Sequence, residues 1–333
     1  MEKQTVTIYD VAREAAVSMA TVSRVVNGNP NVKPATRKKV LDVIDRLDYR
    51  PNAVARGLAS KKTTTIGVII PDVTNAYFAE LALGIDDIAA MYKYNIILAN
   101  SDENGSKELQ VVNTLLAKQV DGLIFMGNNM GDDLKHEFER ASMPVVVAGS
   151  VDIKQDMPSV SIDYVAATKE AVTNLLGRGN QKVALVVGSM KESINHDYRL
   201  KGYRQALEET GNEYNDQLVF ETNDSYNTGY EMAEEIKNSG ATAAFVGDDE
   251  LAAGLLNGLT DRGVKVPAEF ELTTTNDTKY TEITRPKMSS VTQPLYDIGA
   301  VAMRLLTKLM NNEDVTDRNV ILPYGLIKRD TTR

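Results

Sequence analysis

Residues 18–28, SMATVSRVVNG, combine short polar side chains with one cation at helical spacing. The guanidinium of Arg24 can donate two hydrogen bonds to O6 and N7 of a guanine, and the side chains of Met19 and Ala20 can contact thymine methyl groups. The first backbone amides of a helix suit phosphate oxygens. So do three nearby polar side chains, those of Ser18, Thr21 and Asn27. This chemistry is typical of a protein that reads DNA through the major groove.

Such side chains must be carried by a narrow helix, and the first 50 residues predict three short helices. Thr7 is the expected N-cap of the first helix, Ser18 caps the second, and Pro34 starts the third. The residues expected to face a common core recur at helical spacing: Ile8, Val11, Ala12, Ala15, Val22, Val25, Val26, Val40, Leu41, Ile44 and Leu47. Two short helices joined by a tight turn form a helix-turn-helix, whose second helix enters the major groove.

The net charge of −9 is unevenly spread along the 333 residues. Residues 1–62 hold 12 Lys and Arg against 6 Asp and Glu, a net charge of +6, so the remaining 271 residues carry −15. This asymmetry indicates a polyanion-binding head on an acidic body. A solvated basic face on a purely structural helical bundle is the alternative. The agreement between charge and motif favours DNA binding.

Several classes of function are disfavoured by what the chain lacks. Cysteine is absent, which excludes disulfides, thiolate metal sites and cysteine nucleophiles. The two histidines, His136 and His196, lie in helical, charged stretches, and no glycine-rich nucleotide-binding motif follows a predicted strand. We therefore expect no enzyme activity, no cofactor and no metal site.

The N-terminal stretch MEKQTVTIYDVARE carries charges where a signal peptide needs an apolar run. No segment reaches the roughly 18 apolar residues of a membrane-spanning helix. We therefore expect a soluble, cytoplasmic protein without a membrane partner.

From residue 63 onward, apolar runs of strand length alternate with helical stretches. The runs TTIGVIIP, NIILAN, DGLIFM and PVVVAGS precede a second series, KVALVVG, QLVFE, AAFVGD and FELTTT. Continuous apolar runs are typical of parallel strands that are buried on both faces. We expect two Rossmann-like α/β lobes around a cleft.

The stretches TIYDVAREAAVSMATVSRVVNG and YRPNAVARGLASKK resemble the headpiece and hinge of the lactose/galactose repressor family. The resemblance implies a headpiece (1–50), a hinge (51–62) and a core (63–333). It also implies that the core has two lobes of periplasmic-binding-protein type, a first at about 63–162 plus 292–320 and a second at about 163–291 plus 321–333. It also implies that residues 52–58 form a hinge helix that folds only on the operator, with two such helices of a dimer in the minor groove. The DNA-binding residues expected on this basis are Thr7, Tyr9, Ser18, Met19, Ala20, Thr21, Arg24, Asn27, Tyr49, Asn52, Ala55 and Leu58.

Leu58 is a lone large apolar side chain among small and cationic residues. In the hinge that the resemblance implies, it suits an apolar wedge that kinks DNA at a flexible base step. Ala55, one turn earlier, is small enough for two hinge helices to approach each other. Burial of Leu58 against the body is the alternative.

The resemblance also points to a small-molecule cleft that contains Asp72, Tyr77, Arg199, Asp248 and Asn276, with Asp249 beside them. Arginine and aspartate around a crevice suit a hydroxylated or phosphorylated ligand. Family members that bind free sugars usually have Gly-Phe-Asp where this chain has Thr274-Thr275-Asn276. A neutral asparagine does not replace a carboxylate that pairs with sugar hydroxyls, although the adjacent Asp277 can partly substitute. This departure disfavours control by a free sugar.

Residues 296–310, YDIGAVAMRLLTKLM, resemble a signature segment of one branch of the family. That resemblance implies a protein corepressor, the phosphocarrier HPr phosphorylated on a serine. Arg304 and Lys308, four residues apart on a helix, can clamp a phosphoserine dianion. The expected corepressor-binding residues are Asp87, Met91, Tyr92, Tyr296, Ala300, Met303, Arg304 and Lys308. The alternative is an amphipathic core helix whose cations extend to solvent.

The resulting prediction is a homodimeric transcriptional regulator of carbon catabolite repression and activation that binds pseudo-palindromic operators. Serine-phosphorylated HPr would be its corepressor, and sugar phosphates would be minor effectors. Two alternatives remain: a sugar-induced repressor of one operon, and a sugar-binding receptor.

Overall fold

The computed structural model describes residues 6–50, 62–102, 105–127, 131–141, 143–151 and 156–333. The chain forms two compact units, Met1–Thr63 and Thr64–Arg333. The described part of the first unit contains three helices: α1 (Ile8–Glu14), α2 (Met19–Val26) and α3 (Pro34–Leu47).

The three helices of the first unit enclose a small aliphatic core in which Val11, Val22 and Val40 are fully buried. The prediction that Leu41 faces this core is wrong, because Leu41 is 43% exposed and Val43 is buried instead. Val43, three positions after Val40, shares its face of α3, whereas Leu41 is turned away from Val40 by about 100°.

The second unit alternates strands and helices as the sequence predicts. Its first series is β1 (Thr65–Ile70), α4 (Ala76–Met91), β2 (Asn95–Asn100), α5 (Gly105–Ala117), β3 (Gly122–Phe125), α6 (Asp132–Arg140), β4 (Val145–Ala148) and β5 (Ser159–Ser161). The second series is α7 (Tyr164–Gly177), β6 (Val183–Val187), a π-helix (Ile194–Arg199), α8 (Leu200–Glu209), a 3-10 helix (Asp216–Leu218), β7 (Val219–Glu221), α9 (Tyr226–Asn238), β8 (Ala243–Val246), α10 (Asp249–Asp261), β9 (Glu271–Asn276), α11 (Lys279–Ile283) and β10 (Ser289–Thr292). The last elements are α12 (Leu295–Met310), β11 (Asn319–Ile321) and β12 (Gly325–Ile327). No helix in the described ranges is long and apolar enough to cross a membrane.

Two six-stranded sheets organise the second unit, in the orders β11-β5-β4-β3-β1-β2 and β12-β10-β9-β8-β6-β7. Neighbouring strands run parallel except β12, which pairs antiparallel with β10. The predicted α/β class with two parallel-sheet lobes is therefore confirmed. The edge strand β2 departs from the expected burial on both faces, because its side chains are half exposed or exposed.

Each lobe is assembled from segments that are distant in the chain. The first lobe consists of β1–β5 with α4–α6, joined by β11 and by α12, which packs against α4 and against β3, β4 and β5. The second lobe consists of β6–β10 with α7–α11, joined by β12. The chain therefore crosses between the lobes after β5, after β10 and after β11.

Helices α4 and α12 approach each other at two glycines, Gly84 and Gly299. A Cβ atom at Gly84 would overlap the carbonyl oxygen of Tyr296, and one at Gly299 would overlap that of Leu81. The second lobe has an equivalent contact between α9 and α10, where a Cβ atom at Gly229 would overlap a backbone oxygen of the facing helix. Any larger residue at these positions would push two helices apart.

Gly84→Ala should therefore destabilise the second unit by about 1–3 kcal/mol, the typical cost of overpacking a core. Gly177→Ala is the matched control, because Gly177 ends α7 and a Cβ atom there meets nothing within 4 Å. Chemical denaturation of each full-length variant measures the difference. Equal stability of the two variants would contradict the close contact of α4 and α12.

Candidate functional site

The N-terminus of α2 presents the predicted base-reading side chains. Ser18 caps this helix, and its Oγ accepts a hydrogen bond from the backbone N–H of Thr21 at 3.2 Å. Met19 and Arg24 are exposed on the outward face. The helix ends at Asn27, and Gly28 then adopts a φ of +71°, a conformation that favours glycine.

The other predicted DNA contacts of the headpiece lie at the start of helix α1 and just after α3. The carboxylate of Asp10 accepts hydrogen bonds from the Thr7 backbone N–H and from the Thr7 hydroxyl, at 3.0 and 2.7 Å. These bonds, followed by the charge of Arg13, hold the pKa of Asp10 below its usual value. Tyr9 is strongly exposed beside them, whereas Tyr49 is half buried against the headpiece core.

The predicted hinge contacts Asn52, Ala55 and Leu58 lie outside the described residues. They remain predictions from the sequence.

An exposed surface on α4 and α12 contains most of the predicted corepressor contacts. The Tyr296 hydroxyl donates a hydrogen bond to Oδ2 of Asp87 at 3.0 Å, which joins the two helices. This bond is the main reason that the pKa of Tyr296 is raised. Arg304 and Lys308 are exposed one helical turn apart on α12.

Sequence reasoning missed one member of this surface, Leu83, which is 56% exposed. Leu83, Asp87 and Met91 are spaced four apart on α4, so they share one face, and Met91 is 72% exposed. This four-residue spacing in the sequence could have identified Leu83 as a member of the same face. We define the docking face as Leu83, Asp87, Met91, Tyr92, Tyr296, Arg304 and Lys308.

Two of the predicted docking residues do not belong to this surface. Ala300 and Met303 are buried within the chain, because that side of α12 packs against α4 and the first sheet. Thr307, on the same side, is buried as well. The prediction that Ala300 and Met303 contact the corepressor together with Arg304 is therefore wrong.

A cleft of about 910 Å³ lies between the two lobes. The structure brings all five predicted cleft residues to its walls: Asp72, Tyr77, Arg199, Asp248 and Asn276. The walls also contain Tyr164 and Asp224, which the sequence reasoning did not single out. The cleft is within the size range of pockets for small ligands.

Among the described residues that line the cleft, Arg199 is the buried cation, only 7% exposed. It ends the π-helix, and its Nη1 donates a hydrogen bond to Oδ1 of Asn195 at 2.8 Å. Within the described residues, no carboxylate oxygen lies within 4.0 Å of its guanidinium nitrogens. A buried guanidinium has five N–H donors to satisfy, so this side chain favours an acceptor-rich ligand.

Two adjacent carboxyl groups follow β8, and they have different roles. Asp248 caps α10 by accepting hydrogen bonds from the backbone N–H groups of Glu250 and Leu251, and it reaches the cleft. Asp249 does not reach the cleft as expected, because it is buried behind it and accepts a hydrogen bond from the Thr278 backbone N–H at 2.7 Å. Burial, and then the charge of Asp248, raise the pKa of Asp249 well above its usual range.

The turn after β9 holds Asn276 in the cleft wall. Asn276 and Asp277 have φ angles of 103° and 63°, a strained conformation for non-glycine residues. Gln293 Nε2 donates a hydrogen bond to Oδ1 of Asn276 at 2.8 Å, and Arg329 forms an ion pair with Asp277 at 2.7 Å. Asp277 is thus engaged outside the cleft walls, so the expectation that it substitutes for a sugar-binding carboxylate is wrong.

Comparison with known protein families assigns both units. The family described as periplasmic binding proteins and sugar binding domain of LacI family matches residues 63–324. The family described as bacterial regulatory proteins, lacI family, matches residues 7–52. The chain belongs to the lacI family.

Individual relatives agree with the lacI-family assignment. Catabolite control protein A of Streptococcus mutans serotype c is 58% identical over 329 residues, which cover 99% of this chain and 98% of that protein. The crystal structure of transcription regulator CcpA of Lactococcus lactis is 45% identical, with a TM-score of 0.78 over 81% of this chain and 99% of that one. The lac repressor dimer bound to operator and the anti-inducer ONPF is 27% identical, with a TM-score of 0.89 over 99% of both chains.

These similarities confirm the predicted family and its helix-turn-helix and periplasmic-binding-protein-like parts. The lacI-family chain is a DNA-binding transcriptional regulator.

The buried carboxyl group of Asp249 predicts a pH dependence of stability for this lacI-family chain. Its folded-state pKa is raised above the usual 3.8, so the folded state keeps a proton that the unfolded chain releases. The free energy of unfolding should therefore contain a contribution that falls as pH rises from about 4 through the folded pKa. Asp249→Asn should remove this fall, whereas Asp86→Asn, at an exposed carboxylate, should retain it.

Denaturation midpoints of the three proteins at about pH 4.5 and about pH 8 measure this contribution. A pH dependence in Asp249→Asn that matches the parent protein would contradict the raised pKa.

Proposed function

We propose that this chain is a homodimeric, cytoplasmic regulator of carbon catabolite repression and activation. It binds pseudo-palindromic operators and takes serine-phosphorylated HPr as its corepressor. The observation that carries the corepressor assignment is the docking face, where Arg304 and Lys308 stand beside exposed apolar and aromatic side chains. The name and nearly full coverage of the 58% identical relative support the regulatory role.

The docking face has the chemistry that a phosphoserine-bearing protein needs. Arg304 and Lys308 lie on one side of α12, so their two cations can contact the same phosphate dianion. Leu83 and Met91 add exposed apolar area on α4. An interface with an apolar centre and a charged rim is typical of specific protein association.

DNA binding is assigned to the first unit. The exposed start of α2 carries Met19, Ala20 and Arg24 as base-contacting side chains, with Ser18 and Thr21 at phosphates. In the hinge, Asn52 would contact a phosphate, and Ala55 would allow the two hinge helices of a dimer to approach each other. Leu58 would open the central base step of the operator.

A homodimer follows from the symmetry of a pseudo-palindromic operator, because each half-site needs its own headpiece. The lac repressor resembled by this chain is a dimer on its operator. The edge strand β2, with its exposed Leu98, and the nearby exposed Val73 offer an apolar surface for a second copy.

The cleft supports sugar phosphates as minor effectors. Arg199 offers buried donors for an anionic or acceptor-rich group, while Asn276 lacks the carboxylate that pairs with sugar hydroxyls. A sugar-induced repressor of one operon is the competing function, and it requires release from DNA by a free sugar.

In the proposed mechanism, docking biases the lobes towards an arrangement that lets two hinges fold in the minor groove. A coupling of about 1–3 kcal/mol would raise operator affinity about 5- to 150-fold. Fluorescence anisotropy of a palindromic operator at fixed salt should show this gain with serine-phosphorylated HPr and not with unphosphorylated HPr.

Arg304→Ala should abolish the gain without changing operator affinity in the absence of HPr. Arg140→Ala, which removes an exposed arginine from α6, is the matched control and should keep the gain. No response to either form of HPr, with release of the operator by a free sugar, would instead establish the operon-specific repressor.

Arg24→Ala should reduce the affinity for the operator by about 1–3 kcal/mol, because one bidentate base contact is lost. Lys39→Ala removes the same charge from α3, away from the base-reading helix. It should lower the affinities for operator and for non-specific DNA by the same factor. Competition between operator and random duplex at one salt concentration separates the two effects. Equal loss of specificity in both variants would contradict base readout by Arg24.

A further inference from the structure

Two tyrosines meet at the base of the cleft. The hydroxyl oxygens of Tyr77 and Tyr164 are 3.2 Å apart, and both side chains are buried. The Tyr77 hydroxyl also donates a hydrogen bond to the carbonyl oxygen of Gly149 at 2.6 Å. Since the single Tyr77 proton points to Gly149, Tyr164 must donate to Tyr77. The result is a chain of two hydrogen bonds from Tyr164 through Tyr77 to Gly149.

Tyr77 is held rigidly within the first lobe. It lies in the first turn of α4, and its ring packs edge-on against Phe78 with centroids 5.1 Å apart. Gly149, which follows β4, has a φ of +63°, and a Cβ atom there would lie 2.5 Å from the Tyr77 hydroxyl oxygen. The phenol therefore rests directly on the Gly149 backbone and has no room to shift.

Tyr164 belongs to the second lobe. It is the first residue of α7, which packs against α8, the π-helix and the strands β6, β8, β9 and β10. The described residues offer its hydroxyl no other hydrogen-bond partner than Tyr77. The bond between the two phenols therefore joins one lobe to the other across the cleft.

We propose that the Tyr164–Tyr77–Gly149 chain is a brace that sets the angle between the two lobes. A rotation of the lobes about their three chain crossings lengthens the bond between the phenols, because each phenol moves with its own lobe. Both phenols line the cleft, so a ligand group that accepts a hydrogen bond from Tyr164 can replace Tyr77 and release the brace. The brace is a property of the fold and does not depend on the identity of any docking partner.

The test compares the lobe angle in variants that keep the rings and lose one hydroxyl. Tyr164→Phe and Tyr77→Phe each remove the bond between the lobes. Tyr203→Phe is the matched control, since the Tyr203 hydroxyl is fully buried and donates to the Val183 carbonyl at 2.7 Å inside the second lobe. A loss of stability alone would affect all three variants, whereas a change of lobe angle should affect only the first two.

The absence of cysteine allows two spin labels to be placed without removing any native thiol. Asp133→Cys and Lys191→Cys place them at exposed positions on the walls of the cleft in opposite lobes. The labelled full-length chain is diluted into unlabelled chain, so that an assembly contains one labelled pair. Double electron–electron resonance then gives the distribution of distances between the lobes, and thermal melting confirms that each variant is folded.

We expect Tyr164→Phe to broaden this distribution and to shift its mean by about 2 Å or more, the scale of hinge rearrangements. Tyr77→Phe should change the distribution in the same way. The double variant should change it no further than either single variant, because both substitutions remove one shared hydrogen bond. The distance distribution of Tyr203→Phe should superimpose on that of the parent protein. If Tyr77→Phe does not fold, Tyr164→Phe decides the matter alone. A Tyr164→Phe distribution that superimposes on the parent, or an equal change in Tyr203→Phe, would overturn the brace.

Discussion

The close contact of α4 and α12 is the constraint on which the rest of the second unit depends. Only glycine at positions 84 and 299 lets the two backbones touch, so a helix from the end of the chain completes a lobe that begins at residue 65. The same contact brings Asp87 and Tyr296 within hydrogen-bond distance. The docking face exists because these two helices are adjacent. Helix α4 also carries Tyr77 near its other end, so one rigid element connects that face with the base of the cleft.

Positive charge predominates in the first unit and negative charge in the second. In the second unit, a few ionisable side chains are buried. The basic headpiece supplies exposed cations for a polyanion, while the described cleft walls of the acidic body contain one buried arginine, Arg199. Arg199 is satisfied in part by Asn195, and Asp249 is held by the backbone of Thr278. Buried ionisable groups are costly unless they are paired or hydrogen-bonded. The buried ionisable groups Arg199 and Asp249 are therefore held by neutral hydrogen-bond partners.

Periodicity predicted the helices and strands well, because it reflects local burial that recurs at 3.6 or 2 residues. It was less successful in deciding which side of a helix remains exposed. Met303 and Arg304 are adjacent, yet one is buried and the other exposed, and only the packing of α12 against α4 distinguishes them. The prediction for Asp249 failed for the same reason, because its side chain is held by the backbone of Thr278, which is distant in sequence. The prediction for Leu41 failed because Val43, and not Leu41, shares the face of α3 that Val40 occupies.

The sequence by itself determined the two-unit organisation, the helix-turn-helix, the alternating α/β body and the candidate cations Arg24, Arg199 and Arg304, because these depend on local patterns of charge and hydrophobicity. Only the tertiary structure decided which distant side chains meet. The hydrogen bonds from Tyr296 to Asp87 and from Tyr164 to Tyr77 join residues 209 and 87 positions apart. No local pattern contains such pairs, since their geometry arises when the chain crosses between lobes and separate segments pack into one sheet.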